Sequence, residues 1–165
     1  MSALPKSHSG GAGRKAVCVN RRALRDYHVL ERVEAGIELT GSEIKSIREG
    51  RISLDSSFAR IEMGEAILYN MNIAPYSHSG SYAHDPLRPR RLLLHRDQIR
   101  RLWGQTSSRG CTLIPLRVYL KRGWAKVELG LCRGKRLQDR REELRRRTAE
   151  QEVRREVNRR QGTSR

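Results

Sequence analysis

The feature that most constrains this fold is the run of residues 111–132, in which apolar and polar residues alternate on both sides of a short turn at 121–123. Alternate side chains of a strand point to opposite faces, so the pattern predicts two antiparallel strands that share one apolar face. The apolar positions are Ile114, Leu116, Val118, Leu120, Ala125, Val127, Leu129 and Leu131. Pro115 cannot donate a hydrogen bond to a neighbouring strand, and it predicts an edge or a bulge at that point.

Two other segments have the same two-residue period. Residues 27–39 predict one long strand, and Gly36 next to Ala35 predicts a bulge or sharp bend in it. Residues 57–76 predict a hairpin whose turn lies near 63–64. Too few residues separate the strands for repeated parallel crossovers, so the sheet is expected to be antiparallel. About six strands with capping helices predict a mainly β protein, a small antiparallel six-stranded OB-like barrel with about three helices.

Two segments change to a helical period. Thr40 and Glu43 have the spacing of a capping box, and Gly50 is a typical residue for the end of a helix, so a short helix is predicted between them. One apolar stripe on this helix would let it cover the open end of a barrel. Residues 92–104 predict a second helix, which ends at Gly104.

The net charge of +17 makes nucleic acid or an anionic membrane the expected partner, because such an excess opposes compaction unless a polyanion neutralises it. Of the 35 basic residues, 29 are Arg and 6 are Lys. The planar Arg fork binds phosphates through two hydrogen bonds, which favours structured nucleic acid. A genome rich in G and C would explain the Arg excess equally well, but it does not explain the net charge. Aromatic residues are only 5% of the chain, so folded RNA is favoured over a single strand stacked on aromatic rings.

Two basic segments are candidates for RNA contact. In residues 84–95, two prolines stiffen the backbone and three arginines would reach phosphates with little loss of entropy. Residues 133–136, with Lys126 on the preceding strand, would form a basic strip along one face of the barrel. These candidates are Arg88, Arg90, Arg91, Lys126, Arg133, Gly134 and Lys135. Solvated loop charges and a charge-protected edge strand are the alternatives for the two segments.

No residue pattern predicts catalysis. The chain has no nucleophile elbow, no Walker loop and no dinucleotide fingerprint. His78, His84 and Asp85 share one loop and could form a metal site or an acid–base pair, but this composition is common in surface loops. We therefore expect a protein that is not an enzyme and that uses no metal and no cofactor.

The cysteines and the absence of targeting segments favour the cytoplasm. Cys18, Cys111 and Cys132 are odd in number and far apart, which argues against disulfides and against a zinc site. Cys111 and Cys132 are predicted to be buried as small apolar side chains. The first residues lack the apolar core of a secretory signal, and no apolar run approaches the roughly 20 residues that cross a bilayer.

Composition divides the chain into three parts. Residues 1–19 are rich in Gly and Ser and predict a disordered basic arm, and residues 20–137 predict the RNA-binding barrel. Residues 138–165 interleave arginine with glutamate and have no continuous apolar stripe, which argues against a coiled coil and against membrane docking. We expect this basic tail to be largely unfolded alone and to become helical against a polyanion.

Several motifs, in the same order, resemble the SsrA-binding protein (small protein B) family of bacteria. The motifs are residues 20–54, 84–95, 112–136 and 139–142, and the resemblance extends from about Asn20 to Arg147. It implies an OB-like barrel with three helices that acts as a monomeric adaptor without chemistry of its own. It implies binding to the tRNA-like domain of transfer-messenger RNA (tmRNA) and delivery of that RNA to ribosomes stalled on messages without a stop codon.

The resemblance also implies residue roles. Glu34, Leu93, His95 and Lys126 match the family's contacts to the tRNA-like domain. A carboxylate accepts hydrogen bonds from base amino groups, so Glu34 would orient the RNA. The ribosome partner is small-subunit ribosomal RNA at the decoding site, with the tail as a helix in the mRNA channel. The residues implied for that contact are Arg136, Gln138, Asp139, Arg140 and Arg141.

Two positions depart from the family pattern. Ser56 stands where the family has an acid, which is expected to change a local turn hydrogen bond. Gln138 stands where relatives often have His or Tyr; glutamine stacks poorly, so the decoding-site contact is expected to depend more on Arg136, Arg140 or Arg141. The alternative function is a structural ribosomal or ribosome-assembly protein that binds ribosomal RNA. A nuclease or RNA-modifying enzyme is disfavoured, because no metal or acid–base constellation is evident.

Overall fold

A computed structural model of the protein describes residues 16–78, 80, 83–108 and 110–161. The strands are β1 Ala16–Val19, β2 Tyr27–Ile37, β3 Ile52–Ser53, β4 Phe58–Glu62, β5 Glu65–Tyr69, β6 Asn72–Ile73, β7 Arg90–Leu93, β8 Thr112–Lys121 and β9 Trp124–Gly134. The helices are α1 Arg21–Asp26, α2 Gly41–Arg48, α3 Arg96–Ser108 and α4 Leu137–Gln161.

Six of the strands close into a ring in the order β8–β4–β5–β7–β2–β9, because β8 also pairs with β9. Every strand pair in the described chain is antiparallel, as the short connections require. β1 lies outside the ring against β8, and β3 pairs only with β6 in a separate two-stranded sheet. The predicted mainly β fold with six antiparallel strands in one closed sheet is confirmed, and the described residues contain four helices where about three were expected.

The main core lies inside the ring, where the inward side chains of the strands meet α2 and α3. Ile47 of α2 and Leu102 of α3 are fully buried there. The predicted capping box of α2 is confirmed, since the Thr40 backbone N–H donates to Glu43 Oε2 at 2.8 Å. α2 ends before Gly50, which adopts the left-handed conformation with a φ of 74° that glycine tolerates best.

The predicted hairpin of β8 and β9 is present, with an irregularity where proline was expected to cause one. Its turn is Arg122–Gly123, in which both residues have positive φ (51° and 80°), as a type I′ turn requires. The register of β8 against β9 shifts between Pro115 and Arg117. This shift is the bulge that Pro115 predicts.

The bulge reverses the alternation of side chains along β8. Leu113 and Val118 enter the main core, whereas Ile114 and Leu116 pack in a second cluster beneath α1. The prediction that Ile114 and Leu116 share a face with Val118 is therefore wrong. A strict two-residue period cannot continue through a bulge, because the extra residue moves the following side chains to the other face.

Gly36 lies where two strands approach each other closely. The register shift in β2 lies between Val29 and Glu31, so the bulge predicted at Ala35 and Gly36 is wrong. A Cβ atom at position 36 would lie 3.1 Å from Cβ of Leu93 in β7. The missing side chain therefore allows β7 to pack closely beside β2.

The second predicted helix is real but shifted along the chain. Leu92 is buried and Leu93 is 50% exposed, which is the alternation of strand β7 and not of a helix. α3 begins only at Arg96 and continues through Gly104. A single glycine inside a helix costs only about 1 kcal/mol, so it does not have to end one.

Two of the three cysteines behave as small buried side chains, and Cys18 is partly exposed. Cys111 and Cys132 are buried and all three cysteines are free, as predicted. Burial raises the pKa of the Cys132 thiol to about 11, so it stays protonated at neutral pH. A thiol in this state is unreactive and contributes by packing.

The departure at Ser56 falls on an unusual backbone conformation. Ser56 has a φ of 59°, in the left-handed region where Asp and Asn occur more often than Ser. The next residue, Ser57, is buried, and its hydroxyl donates to the Leu54 carbonyl oxygen at 2.5 Å. Ser57 therefore closes this turn although position 56 lacks the family's acid.

The two ends of the chain refine the predicted division into three parts. Ala16–Val19 form β1 against β8, so a disordered arm cannot include them, and residues 1–15 lie outside the described residues. Residues 137–161 form α4, which is the helical form of the predicted basic tail. That this helix is unfolded without a polyanion stays a prediction.

A buried ion pair joins α2 to β7. The side chains of Glu43 and Arg90 are both fully buried, and Arg90 Nε donates to Glu43 Oε1 at 2.9 Å. Arg88 donates two further hydrogen bonds to the same carboxylate, from Nε at 2.8 Å and from Nη2 at 2.6 Å. The other Arg90 donors bind the carbonyl oxygens of Met71, Pro86 and Arg88. The buried charges are thus paired and hydrogen-bonded, which a stable buried ion pair needs.

Glu43→Gln should destabilise the protein by about 3–5 kcal/mol, because the buried Arg90 would lose its counter-charge. Urea unfolding at neutral pH, followed by circular dichroism, measures the change. Glu38→Gln is the matched control, since it removes a carboxylate that binds Arg91 at 2.9 Å on the surface. Exposed pairs contribute at most about 1 kcal/mol, so equal losses in the two variants would contradict the assignment.

The same cluster should make stability depend on pH in the acid range. Burial alone would raise the pKa of Glu43, but hydrogen bonds from Arg88, the Thr40 N–H and Arg90 outweigh it and lower the pKa from 4.5 to about 2. Because the folded pKa is the lower one, this stabilisation is complete above about pH 4.5 and is lost as the pH falls towards about 2. The loss should reach up to about 3 kcal/mol. NMR titration of the Glu43 carboxyl carbon checks this, and a midpoint near the ordinary value would contradict it.

Candidate nucleic-acid interface

Four residues that the resemblance assigns to RNA lie around one open groove. Glu34, Leu93, His95 and Lys126 belong to β2, β7, the residue before α3, and β9. All four line a single groove with a volume of about 910 Å³. They are far apart in the sequence, and the closure of the ring brings them together.

Gly36 also lines this groove, and both neighbouring strands pair with it. It is opposite Leu93 of β7 on one side and opposite Lys126 of β9 on the other. The half-exposed Leu93 therefore offers an apolar surface next to the strand that carries the Lys126 ammonium. A side chain at position 36 would crowd Leu93, so glycine keeps this part of the groove open.

The Glu34 carboxylate is fixed by two donors on β8. The hydroxyl of Tyr119, a buried residue, donates to Oε2, and Lys121 Nζ donates to Oε1 at 2.9 Å. A carboxylate offers about four acceptor positions, so it can accept a hydrogen bond from a base amino group while these donors hold it. Tyr119 and Lys121 are not predictable from the sequence, because their role depends on the pairing of β8 with β9 and of β9 with β2.

His95 and Lys126 are presented in different ways. The His95 backbone N–H donates to Gln98 Oε1 at 3.0 Å and its carbonyl oxygen accepts the Ile99 N–H at 3.0 Å, which fixes the backbone at the start of α3. The His95 side chain is exposed, and Lys126 is half-buried. Within the described residues, no hydrogen bond or ion pair of the Lys126 ammonium is found. Lys126 is therefore available to a phosphate.

Three arginines add positive charge to the edge of the groove. Arg91 is exposed but bound to Glu38 and Glu65, each at 2.9 Å. Arg96 and Arg100 lie one turn apart at the start of α3 and also line the groove. Arg91 is among the residues predicted from the sequence, and Arg96 and Arg100 are not. Their four-residue spacing within a predicted helix was the signal that could have identified them.

The prediction that Arg90 contacts RNA is wrong. Its guanidinium is fully buried and bound to Glu43, so no phosphate can reach it in the folded protein. Arg88 is partly exposed, but two of its donors are committed to the same carboxylate. The physical reason is that a buried carboxylate requires cations beside it. A count of charges along a loop cannot distinguish an arginine that serves this need from one that faces solvent.

The second basic segment, residues 133–136, lies at the other end of β9 from the groove. Lys126 and Gly134 are eight residues apart on this strand, which separates the two sites by roughly 25 Å. Glu128 lies on the outward side between them, and arginines of β2 and β8 bind it. Because Glu128 is buried and neutralises only one of its two partners, Arg32 and Arg117, the face between the two sites stays basic, and the continuous basic strip stays a prediction.

Within the second basic segment, one residue serves the structure. Arg133, Gly134 and Arg136 are exposed. The Lys135 side chain is buried and donates to Glu143 of α4. This hydrogen bond lowers the pKa of Glu143 below its usual range. Lys135 therefore ties α4 to the ring, and its contact with RNA stays a prediction.

The residues assigned to the ribosome lie at the start of α4. Asp139 accepts a backbone N–H of the preceding turn at 3.3 Å, a favourable position for an acid at a helix N-terminus. Its carboxylate also lies 3.6 Å from His28 Nε2. Arg141 is exposed. Gln138 and Arg140 belong to α4, and their side chains lie outside the described part of the structure.

In the loop that contains His78, His84 and Asp85, the last two residues make structural hydrogen bonds. His84 Nδ1 lies 3.0 Å from Ser42 Oγ, and His84 Nε2 lies 3.0 Å from the Ile73 carbonyl oxygen. Asp85 accepts the Leu87 N–H at 2.9 Å. Among the described residues, no group of three His, Cys, Asp or Glu side chains could hold a metal ion. No helix in the same part of the chain is both long and apolar enough to cross a membrane.

Comparison with known proteins gives a consistent result. The SmpB protein family model matches residues 17–159. The SsrA-binding protein of Carboxydothermus hydrogenoformans is 52% identical over 139 residues, which are 84% of this chain and 93% of that protein. The SsrA-binding protein of Geobacillus kaustophilus is 50% identical over 147 residues, which are 89% of this chain and 95% of that protein.

A solved structure agrees with these relatives. A chain from the structure described as "tmRNA-SmpB: a journey to the center of the bacterial ribosome" superposes with a TM-score of 0.62 and 52% identity, over 78% of this chain and 94% of that chain. The family match runs from β1 into α4, so it includes both the groove and the second basic segment. This chain belongs to the SmpB protein family.

Proposed function

We propose that this protein is an RNA-binding adaptor of trans-translation, which binds the tRNA-like domain of tmRNA and delivers that RNA to stalled ribosomes. Its relatives are named SsrA-binding proteins, and the similar solved structure is of tmRNA and SmpB in the bacterial ribosome. The observation that carries the proposal is the groove in which Glu34, Leu93, His95 and Lys126 meet. The protein binds and positions RNA without chemistry of its own.

The groove offers four different contacts to a folded RNA loop. The fixed Glu34 carboxylate accepts from base amino groups, and Leu93 packs against a base or a sugar. The exposed His95 ring stacks or hydrogen-bonds, and the Lys126 ammonium binds a phosphate. Such a mixture suits unstacked bases of a loop better than a regular RNA duplex, whose narrow major groove excludes side chains.

The second basic segment and α4 form the ribosome-binding end of the adaptor. They lie roughly 25 Å from the groove along β9, so one end can hold tmRNA while the other contacts ribosomal RNA. The apolar residues Leu144, Val153 and Val157 of α4 are exposed and do not form one stripe. A helix of this kind fits a channel lined by phosphates better than an apolar protein groove. The adaptor acts as a monomer in the cytoplasm.

Lys126→Ala should weaken binding to the tRNA-like domain by about tenfold, because a phosphate contact is lost. A mobility-shift titration with a transcribed tRNA-like domain, in the presence of excess ordinary tRNA, measures the affinity. Lys45→Ala is the matched control: Lys45 lies on α2 and contacts the Tyr76 ring, away from the groove. That variant should bind within about threefold of wild type. Equal affinity of the wild type for ordinary tRNA would favour a general ribosomal RNA binder and would overturn the proposal.

Removal of residues 139–165 should leave binding to the tRNA-like domain within about threefold of wild type but abolish tagging by stalled ribosomes. The reason is that the groove and α4 serve different RNA partners at opposite ends of β9. Binding is measured by mobility shift and tagging in a reconstituted translation reaction. Removal of residues 162–165 alone, after the end of α4, is the control and should preserve both. Loss of RNA binding in the longer deletion would contradict this division of roles.

A further inference from the structure

We infer that the RNA surface continues beyond the groove along the β8–β9 hairpin to Trp124, whose indole stacks on an unpaired base of the bound RNA. The inference rests on the proposed function of the groove and deepens it. It concerns a residue at the tip of the hairpin, outside the set of side chains that line the groove. The proposed ligand at Trp124 is the tRNA-like domain.

Trp124 is an exposed aromatic ring on the same side of the sheet as the groove lysine. The residue is 74% exposed, although large aromatic side chains are usually mostly buried. Ala125 points into the core, so Trp124 and Lys126 both face outward, about 7 Å apart along β9. A base on the indole and a phosphate on the ammonium would therefore belong to the same stretch of RNA.

The cross-strand partners connect Trp124 to the acidic anchor of the groove. Trp124 is opposite Lys121, and Lys126 is opposite Tyr119. Lys121 and Tyr119 are the two donors that hold the Glu34 carboxylate. The two-residue turn before Trp124 leaves the backbone little freedom, so the Trp124 backbone has a fixed position relative to Lys121 and Tyr119.

The residues near the Trp124 ring favour a nucleic acid as its ligand. Three basic residues lie close to Trp124 in the hairpin: Lys121 is its cross-strand partner and binds Glu34, Arg122 belongs to the turn, and Lys126 is two residues further along β9. No Asp or Glu occurs in the hairpin between residues 112 and 127. No ring contact or hydrogen bond of the Trp124 side chain is found within the described residues. One ring among cations is too small an apolar surface for a protein docking site, but it matches a base next to its phosphates.

The other tryptophan supplies the matched control. Trp103 is also exposed, at 58%, but it lies on α3 beside a separate depression that includes Arg60 and Cys111. It does not line the groove. A general effect of removing an exposed indole would appear equally at both positions, whereas stacking in the groove RNA would appear only at Trp124.

The test is the mobility-shift titration with the tRNA-like domain. Trp124→Ala should weaken binding by between about fivefold and about a hundredfold, whereas Trp124→Phe, which keeps a ring, and Trp103→Ala should stay within about threefold of wild type. Thermal unfolding should confirm that all variants are folded. Equal affinities of Trp124→Ala and Trp103→Ala, with wild-type preference for the tRNA-like domain intact, would overturn this inference alone. Loss of that preference in the wild type would overturn the proposed function and this inference with it.

Fluorescence provides a second readout. Trp103→Phe leaves Trp124 as the only tryptophan, since the chain has two. Stacking on a base should quench its emission, and the quenching should saturate with the same concentration dependence as the mobility shift. Unchanged emission on RNA binding would contradict stacking. A blue shift with anionic phosphatidylglycerol vesicles and no response to RNA would assign the ring to a membrane and overturn the inference.

Discussion

The buried pair of Glu43 and Arg90 is the constraint on which the functional groove depends. Arg90 is the first residue of β7, and its burial fixes which side chains of that strand face inward. Because the side-chain period of a strand is two, this choice places Leu92 in the core and Leu93 outside, in the groove. A slip of one residue would bury Leu93 and displace His95. A cluster that never meets RNA therefore determines how the RNA-facing residues are presented.

The ladder of β2 and β9 sets the distance between the two functional ends. Gly36 is opposite Lys126 at one end and Tyr27 is opposite Gly134 at the other, with one register shift between them. The separation is thus a property of backbone pairing and does not depend on flexible side chains. Lys135 binds Glu143 and so holds the first turns of α4 against the ring. The fixed spacing therefore extends to the start of α4. An adaptor between two large RNAs needs such a fixed spacing.

Local sequence patterns correctly predicted those elements that depend on residues close to each other in the sequence. The capping box of Thr40 and Glu43 and the bulge at Pro115 follow from residues that are close in sequence. The errors arose where the cause is distant: Arg90 is buried because of a carboxylate 47 residues earlier in the chain. Of the groove residues, charge and periodicity identified Lys126 and Arg91. Glu34, Leu93 and His95 came from the family resemblance, since no local pattern distinguishes them.

The net charge of +17 overstates what is available to bind RNA specifically. Many arginines of the described chain are engaged by acids, including Arg32 of β2 with Glu128 and Arg101 of α3 with Glu31. Paired charges still contribute to the long-range field that attracts a polyanion, but they do not select one RNA loop over another. Selection requires groups whose bonding capacity is open and whose positions are fixed. Lys126 supplies the open bonding capacity, and Glu34, which Tyr119 and Lys121 hold, supplies the fixed position. Specificity therefore depends on a few side chains within a generally basic surface.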